Sequence, residues 1–200
     1  MKGKYHHLSN GIEERQCLFA GRGRGERKMK KVIVVIDMQN DFIDGSLGTK
    51  EAQAMLPRLV AKLAREREAA LIFTQDTHGA SYLETQEGKL LPVVHCVKAS
   101  QGWEIAPALA PYVARAAAVI EKPAFGSLAL PEAVRSLRPE AIELTGLCTD
   151  ICVIANAMIL KTAFPEIPIS VDASCCAGVT PDSHENALAA MKMCQVRIVR

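Results

Sequence analysis

The side chains able to do chemistry fall at a few recurring places in this 200-residue chain. Asp37 follows the apolar run KVIVVI (31–36). Asp76 and His78 follow AALIFT (69–74). Lys122 follows AAAVIE (116–121), and Cys148, Asp150 and Cys152 follow AIELTG (141–146). A cysteine, a carboxylate and a lysine suit thiol chemistry: the carboxylate can take the thiol proton and the ammonium can hold the pair together. Cys152 stands where a helix should start, and free N–H groups and the helix dipole there favour a thiolate. It could equally be a small buried apolar residue, a common fate of cysteine, and position alone does not choose between these readings. Asp76-x-His78 and His95, 17 residues further on, offer two imidazoles and a carboxylate. That donor set suits Zn²⁺, Fe²⁺ or Mn²⁺ with positions left open. Glu84 or Glu87 could add a fourth ligand.

Other polar residues have plainer readings. Asp41 and Asp44 follow the first strand and read as turn caps or braces. Asp150 lies in a first helical turn, where negative charge is favoured without catalysis. His184 has no partner in sequence and reads as structural. Seven cysteines are present (17, 96, 148, 152, 175, 176, 194), none in a CxxC pair. Reduced thiols are expected, with neither a disulfide framework nor a zinc ribbon.

The elements that must position these groups follow from hydrophobic patterning. KVIVVI shows no polar alternation, as a strand buried on both faces requires. Helical spacing over 51–68, the strand 69–74, a strand at 116–121 and a helix over 130–138 follow. Then come the strand 141–146, a helix over 149–163, the strand IPISVD (167–172) and VRIV (196–199). Thr180-Pro181 places a capping hydroxyl before a proline at the first helical position, so a helix runs to about Met193. Repeated β-α-β order predicts an α/β fold: a doubly wound, mostly parallel six-stranded sheet with helices on both faces. Ligands in such sheets bind at the carboxyl ends of the strands, the rim on which every reactive candidate falls. Residues 77–100 are the one long irregular stretch, and such loops are usually functional.

The net charge of +2 is uneven. Residues 1–31 hold nine Lys/Arg against three Glu, and the remainder is mildly acidic. GRGRGERKMKK (21–31) could touch phosphates, but it lacks interleaved aromatics and reads as a disordered basic leader. His6 and His7 belong to it and read as solvated. Met29 resembles a natural start, so residues 29–200 are expected to form a single domain and residues 1–28 to be dispensable to it. There is no signal-peptide pattern and no apolar run long enough to span a bilayer. The expected setting is the cytoplasm, and a nucleic-acid partner is disfavoured.

VVIDMQNDF (34–42), EKPAFGS (121–127) and LTGLCTDICV (144–153) together resemble the isochorismatase-like cysteine hydrolases, which include nicotinamidases, carbamoylsarcosine amidases and ureidoacrylate amidohydrolases. The resemblance covers residues 31–199 with the motifs in the family's order. It implies Asp37 as general base and later acid, Lys122 orienting it, and Cys152 rather than Cys148 as nucleophile. It also implies a cis peptide between Leu147 and Cys148, with the backbone N–H groups of Cys148 and Cys152 forming an oxyanion hole. Asp76, His78 and His95 match the metal ligands of nicotinamidases. There the metal, Zn²⁺ before Fe²⁺ or Mn²⁺ in expectation, binds the ring nitrogen of the substrate.

Nicotinamide is therefore the leading small-molecule substrate. The chain departs from the pattern at Thr77, where many nicotinamidases have an aromatic, and at Leu90-Leu91-Pro92, where they carry a tryptophan. Phe42, Tyr82, Trp103 and Phe125 remain as pocket walls. Family members are commonly dimers or tetramers, so a homo-oligomer is expected. The competing readings are a family hydrolase acting on another amide or ureido compound, and a non-catalytic metal- or ligand-binding module.

Overall fold

The computed structural model describes residues 30–200; the expected leader, with His6, His7 and Cys17, lies outside them. In chain order the elements are β1 (Lys31–Ile36), α1 (Asn40–Ile43), α2 (Lys50–Arg65), β2 (Ala70–Asp76), α3 (Gln86–Leu90) and α4 (Ala110–Val113). They continue with β3 (Ala118–Lys122), α5 (Leu130–Ser136), β4 (Ala141–Leu147), α6 (Ile154–Ala163), β5 (Ile169–Ala177), α7 (Pro181–Met193) and β6 (Arg197–Val199). The six strands form one sheet in the order β3-β2-β1-β4-β5-β6, and every pairing is parallel. The order reverses between β1 and β4, so the crevice at their carboxyl ends is the expected ligand site of a doubly wound sheet.

Strand β1 shows how the layers are built. Val32, Val34 and Ile36 pack into the core shared with α5, α6 and α7, whereas Ile33 and Val35 face the core under α1 and α2. Both faces of the pleat are covered, which is why the run has no polar alternation. Helix α2 starts at Thr49, whose hydroxyl accepts from Ala52 N–H. Helix α7 starts at Thr180 with a reciprocal capping box to Ser183 and Pro181 in its first turn. Among the described residues, no helix is long and apolar enough to cross a membrane.

Several boundaries differ from the sequence expectation. Strand β2 runs on to Asp76 and β3 to Lys122, because these buried charged residues find partners across the strand ends. Strand β5 extends to Ala177. Its pairing with β4 jumps from Leu144↔Val171 to Gly146↔Cys176, a bulge that conceals any simple alternation. Gly146 has φ 113°, and a Cβ there would run into the Ile36 carbonyl oxygen, so only glycine lets β4 approach β1 beside the crevice. The helix expected over 149–163 divides into a π-helical turn, Thr149–Val153, followed by α6.

Candidate active site and metal centre

The crevice gathers the strand-end residues into one buried group. Asp37, at the end of β1, takes a positive φ of 45°, a conformation that aspartate tolerates better than most residues. Thr74 on the neighbouring β2 donates its hydroxyl to Asp37 Oδ1 at 2.6 Å. Lys122 Nζ lies 2.7 Å from Asp37 Oδ2 and donates to Asp76 Oδ1 at 3.2 Å, to the Ala124 carbonyl at 3.0 Å and toward Cys152 Sγ at 3.5 Å. Asp37, Lys122 and Cys152 are all buried, with relative exposures of 0%, 1% and 5%. An ammonium this deep is tolerable only because anions surround it.

Burial governs the proton inventory. It pushes the Cys152 thiol well above its ordinary pKa, and the negative charge of Asp37 pushes the same way, against the opposing charge of Lys122. Desolvation and the Asp37 charge thus oppose the thiolate that the helix start and Lys122 favour. Burial also raises Asp37, with Lys122 pulling the other way. For Lys122 burial opposes the charge, but Asp37, Cys152 and Asp76 more than compensate, so it stays an ammonium. Burial likewise raises the Cys148 thiol, to about 12. The Leu147–Cys148 peptide is cis, as the family resemblance implies.

Asp76 links this group to a second one. Its other oxygen, Oδ2, lies 2.9 Å from His78 Nε2 and 3.7 Å from His95 Nε2. Burial opposes ionisation of Asp76, but contact with His78 and the charge of Lys122 outweigh it and hold the carboxyl below its usual range. One ligand atom from each of Asp76, His78 and His95 lies within 4.8 Å of the others. His95 Nδ1 is 2.8 Å from the Val93 carbonyl; a carbonyl can only accept, so Nδ1 carries the proton and Nε2 presents a lone pair. His78 Nε2 is buried with no aligned hydrogen-bond partner among the described residues. Two imidazole nitrogens and a carboxylate oxygen that converge in this way fit a shared cation. Glu87 Oε1 approaches both imidazoles at 3.7 and 3.8 Å. Glu84 is exposed and makes no such approach, which separates the two glutamates that spacing left equivalent.

The irregular segment is clipped in place around these residues. His78 N–H donates to the Cys96 carbonyl and Lys98 N–H to the His78 carbonyl, both at 2.9 Å. Asp41 Oδ2 accepts from Cys96 N–H at 2.7 Å, so Asp41 is a brace as expected. Asp44 caps the C-terminal end of α1. Asp150 accepts from Val179 N–H, and His184 Nδ1 is 2.8 Å from Thr149 Oγ1. His184 thus has a structural partner that the sequence did not reveal.

A cavity of about 210 Å³ opens between the two groups. Phe42, Leu47, Leu91, Phe125, Ile151 and Val179 give it apolar walls, and Cys148, Cys152, Asp76, Glu87 and His95 supply its reactive edge. Phe42 and Phe125 are therefore wall residues. Tyr82 and Trp103 are not among the lining residues. Tyr82 is fully buried behind the histidines, with ring centroids 4.7 Å from His78 and 4.9 Å from His95, and its hydroxyl donates to the Leu91 carbonyl. Trp103 Nε1 donates to Thr77 Oγ1 at 2.8 Å, which ties the indole to the loop and accounts for threonine at 77. Gln39, unnoticed in the sequence, is buried and clamps the Asp76 backbone, accepting from its N–H at 2.7 Å and donating to its carbonyl at 2.8 Å. It lies within the VVIDMQNDF run, but nothing local shows that its amide turns toward β2.

Residues 31–200 match the isochorismatase domain model. A curated Bacillus subtilis (strain 168) protein described as an uncharacterized isochorismatase family protein, PncA, is 28% identical over 143 residues, covering 65% of this chain and 78% of that one. The crystal structure of nicotinamidase/pyrazinamidase PncA from Bacillus subtilis superposes with a TM-score of 0.74 at 25% identity, covering 86% of this chain and all of that one. N-carbamoylsarcosine amidase from Thermoplasma acidophilum superposes at 0.69 with 26% identity, covering 86% of this chain and 96% of that one.

Proposed function

The chain belongs to the isochorismatase family, and on that premise we propose that it is a cysteine-dependent amidase that hydrolyses a small ring-bearing carboxamide, nicotinamide first among candidates, to the acid and ammonia. The observation that carries this reading is the position of Lys122. Its ammonium touches Asp37, Asp76 and Cys152 at once, beside a mostly apolar cavity sized for a small molecule.

As Cys152 Sγ attacks the amide carbon, its proton passes to the Asp37 carboxylate. The backbone N–H groups of Cys148 and Cys152 donate to the tetrahedral oxyanion. Asp37 then protonates the departing nitrogen, ammonia leaves, and a thioester remains. Water attacks that thioester while Asp37 takes its proton; the acid departs and the thiol is regenerated. Lys122 orients Asp37 throughout and favours its carboxylate form between proton transfers. Asp76, His78 and His95, with Glu87 facing them, would hold a divalent cation, Zn²⁺ before Fe²⁺ or Mn²⁺, which when bound supplies a Lewis-acid anchor for a lone pair on the substrate ring. Phe42 and Phe125 flank that ring.

The superposition with N-carbamoylsarcosine amidase favours a second substrate class, small ureido compounds, attacked by the same thiol. Ammonia release from nicotinamide and from a panel of amides and ureido compounds separates the two. Full turnover by Cys152→Ala would overturn the nucleophile assignment.

A further inference from the structure

Asn156 takes no part in these steps, yet it is completely buried and its amide is fully engaged. Its Oδ1 accepts from Ser127 N–H at 3.0 Å, and its Nδ2 donates to the Phe125 carbonyl at 3.1 Å and to the Cys152 carbonyl at 2.8 Å. Asparagine has a low helix propensity, and two of its three partners here lie outside the helical run, on the loop before α5. The three bonds tie residues 125 and 127, on either side of Gly126, to the turn that carries Cys152. Gly126 lies flat against α6, where a Cβ would meet Ile159 Cδ1 at 2.5 Å.

The loop so latched is part of the site. The Ala124 carbonyl accepts from Lys122 Nζ, and the Phe125 side chain is a wall of the cavity. Phe125 is itself 49% exposed, so its own packing cannot hold the ring in place. Its backbone must do that, and the Phe125 carbonyl is bonded to Asn156.

We propose that Asn156 is a positioning residue that fixes the Phe125 wall relative to the Cys152 thiol and so sets which ring-bearing amides reach it. The proposal rests on the reading of Cys152 as the nucleophile. It predicts that Asn156 governs selectivity between substrates with and without a ring, and leaves the intrinsic reactivity of the thiol in place.

Site-resolved alkylation of Cys152 in the full chain tests this without turnover. Each reagent, iodoacetamide or N-benzyl iodoacetamide, forms a thioether at Sγ with loss of iodide and the thiol proton, and peptide mapping separates Cys152 from the exposed Cys194. Asn156→Ala should lower the ratio of benzyl to plain labelling rates about fivefold, the scale of one lost aromatic contact, while the plain rate stays within about twofold. Phe125→Ala should cause the same loss, and the double variant should lose nothing further, because the two act through one contact.

Asn156→Ser covers the case in which the alanine variant does not fold. Its hydroxyl can bond back to the Cys152 carbonyl four residues earlier but cannot reach the loop, so it should reproduce the selectivity loss. A wild-type ratio in Asn156→Ser, additive effects in the double variant, or a fall in the plain rate with the ratio unchanged would each overturn the proposal, as would a wild-type Cys152 that resists both reagents. If turnover proves independent of Cys152, the nucleophile assignment fails while the labelling ratio still decides the role of Asn156.

Discussion

Lys122 and Asp37 form an ion pair of 2.7 Å with almost no solvent access. The same ammonium also neutralises Asp76 at 3.2 Å. A single cation therefore holds two carboxylates, one beside the thiol and one beside the histidines. Removing it would leave both buried anions facing each other without compensation.

Lys122→Met should on that ground lower unfolding stability by about 3–5 kcal/mol, the cost of breaking a buried pair from one side. The loss should be partly recovered in the double variant Lys122→Met/Asp37→Asn, where one stranded charge is gone as well. Urea unfolding of the three proteins measures both numbers. A double variant no more stable than the single one would show that Asp37 is not the anion Lys122 compensates.

Cys152→Ala should reduce amide hydrolysis by about 10³-fold or more, as loss of a nucleophile does. Cys148→Ala should keep turnover within a few-fold, since only the Cys148 backbone faces the reaction in the proposed mechanism, whereas Cys152 Sγ lies against Lys122 Nζ. Ammonia release at saturating substrate compares the two. Equal losses in both variants would remove the distinction between the cysteines.

How far these assignments were legible differs from residue to residue. The strand β1 and the Thr180 cap of α7 could be read at once, because both signals are local: an unbroken β-branched run, and a hydroxyl before a proline. The gathering of Asp37, Asp76, Lys122 and Cys152 on one rim also followed from strand ends alone. The Asp76–Lys122 contact did not, because it depends on the β2–β3 register that pairs the two residues. Ser174, Cys175 and Cys176 were missed as strand because the bulge in β5 removes the period that would have shown it. Trp103 and Tyr82 looked like pocket walls because aromatics usually are. Only the loop geometry turns one toward Thr77 and the other behind the histidines.

Metal content gives a third test. The protein should hold about one divalent ion per chain by elemental analysis, and His95→Ala should lose most of it, because a site that loses one of three protein ligands binds far more weakly. Tyr82→Phe should retain the ion, since Tyr82 contacts the imidazoles through its ring and not through its hydroxyl. Unchanged metal content in His95→Ala would rule out the Asp76/His78/His95 centre, whatever the activity.

The opposite end of the sheet carries a charge cluster with no catalytic assignment. Lys62 on α2 lies 2.6 Å from Glu143 on β4 and 2.8 Å from Asp172 on β5, and all three are buried. Burial opposes the charge of Asp172, but the hydrogen bonds from Lys62 and Ser174 outweigh it and depress the carboxyl below its ordinary value. Burial likewise opposes the charge of Lys62, and its bonds to Asp172 and Glu143 raise it above the usual lysine range. The signs follow by linkage. The Asp172 contribution is complete above its unfolded pKa of about 3.9 and disappears as the pH falls through the lower folded value. The Lys62 contribution is complete below about 10.4 and disappears only as the pH rises through the higher folded value. Wild type should therefore exceed Asp172→Asn in stability by a constant amount from about pH 6 to 9. The gap should close as the pH drops below about 4, where the wild-type carboxyl takes up its proton. Urea midpoints measured from pH 3 to 9 would show this convergence on the acid side only. A gap that did not narrow at all between pH 5 and pH 3 would mean that Asp172 stabilises the sheet through packing and not through its charge.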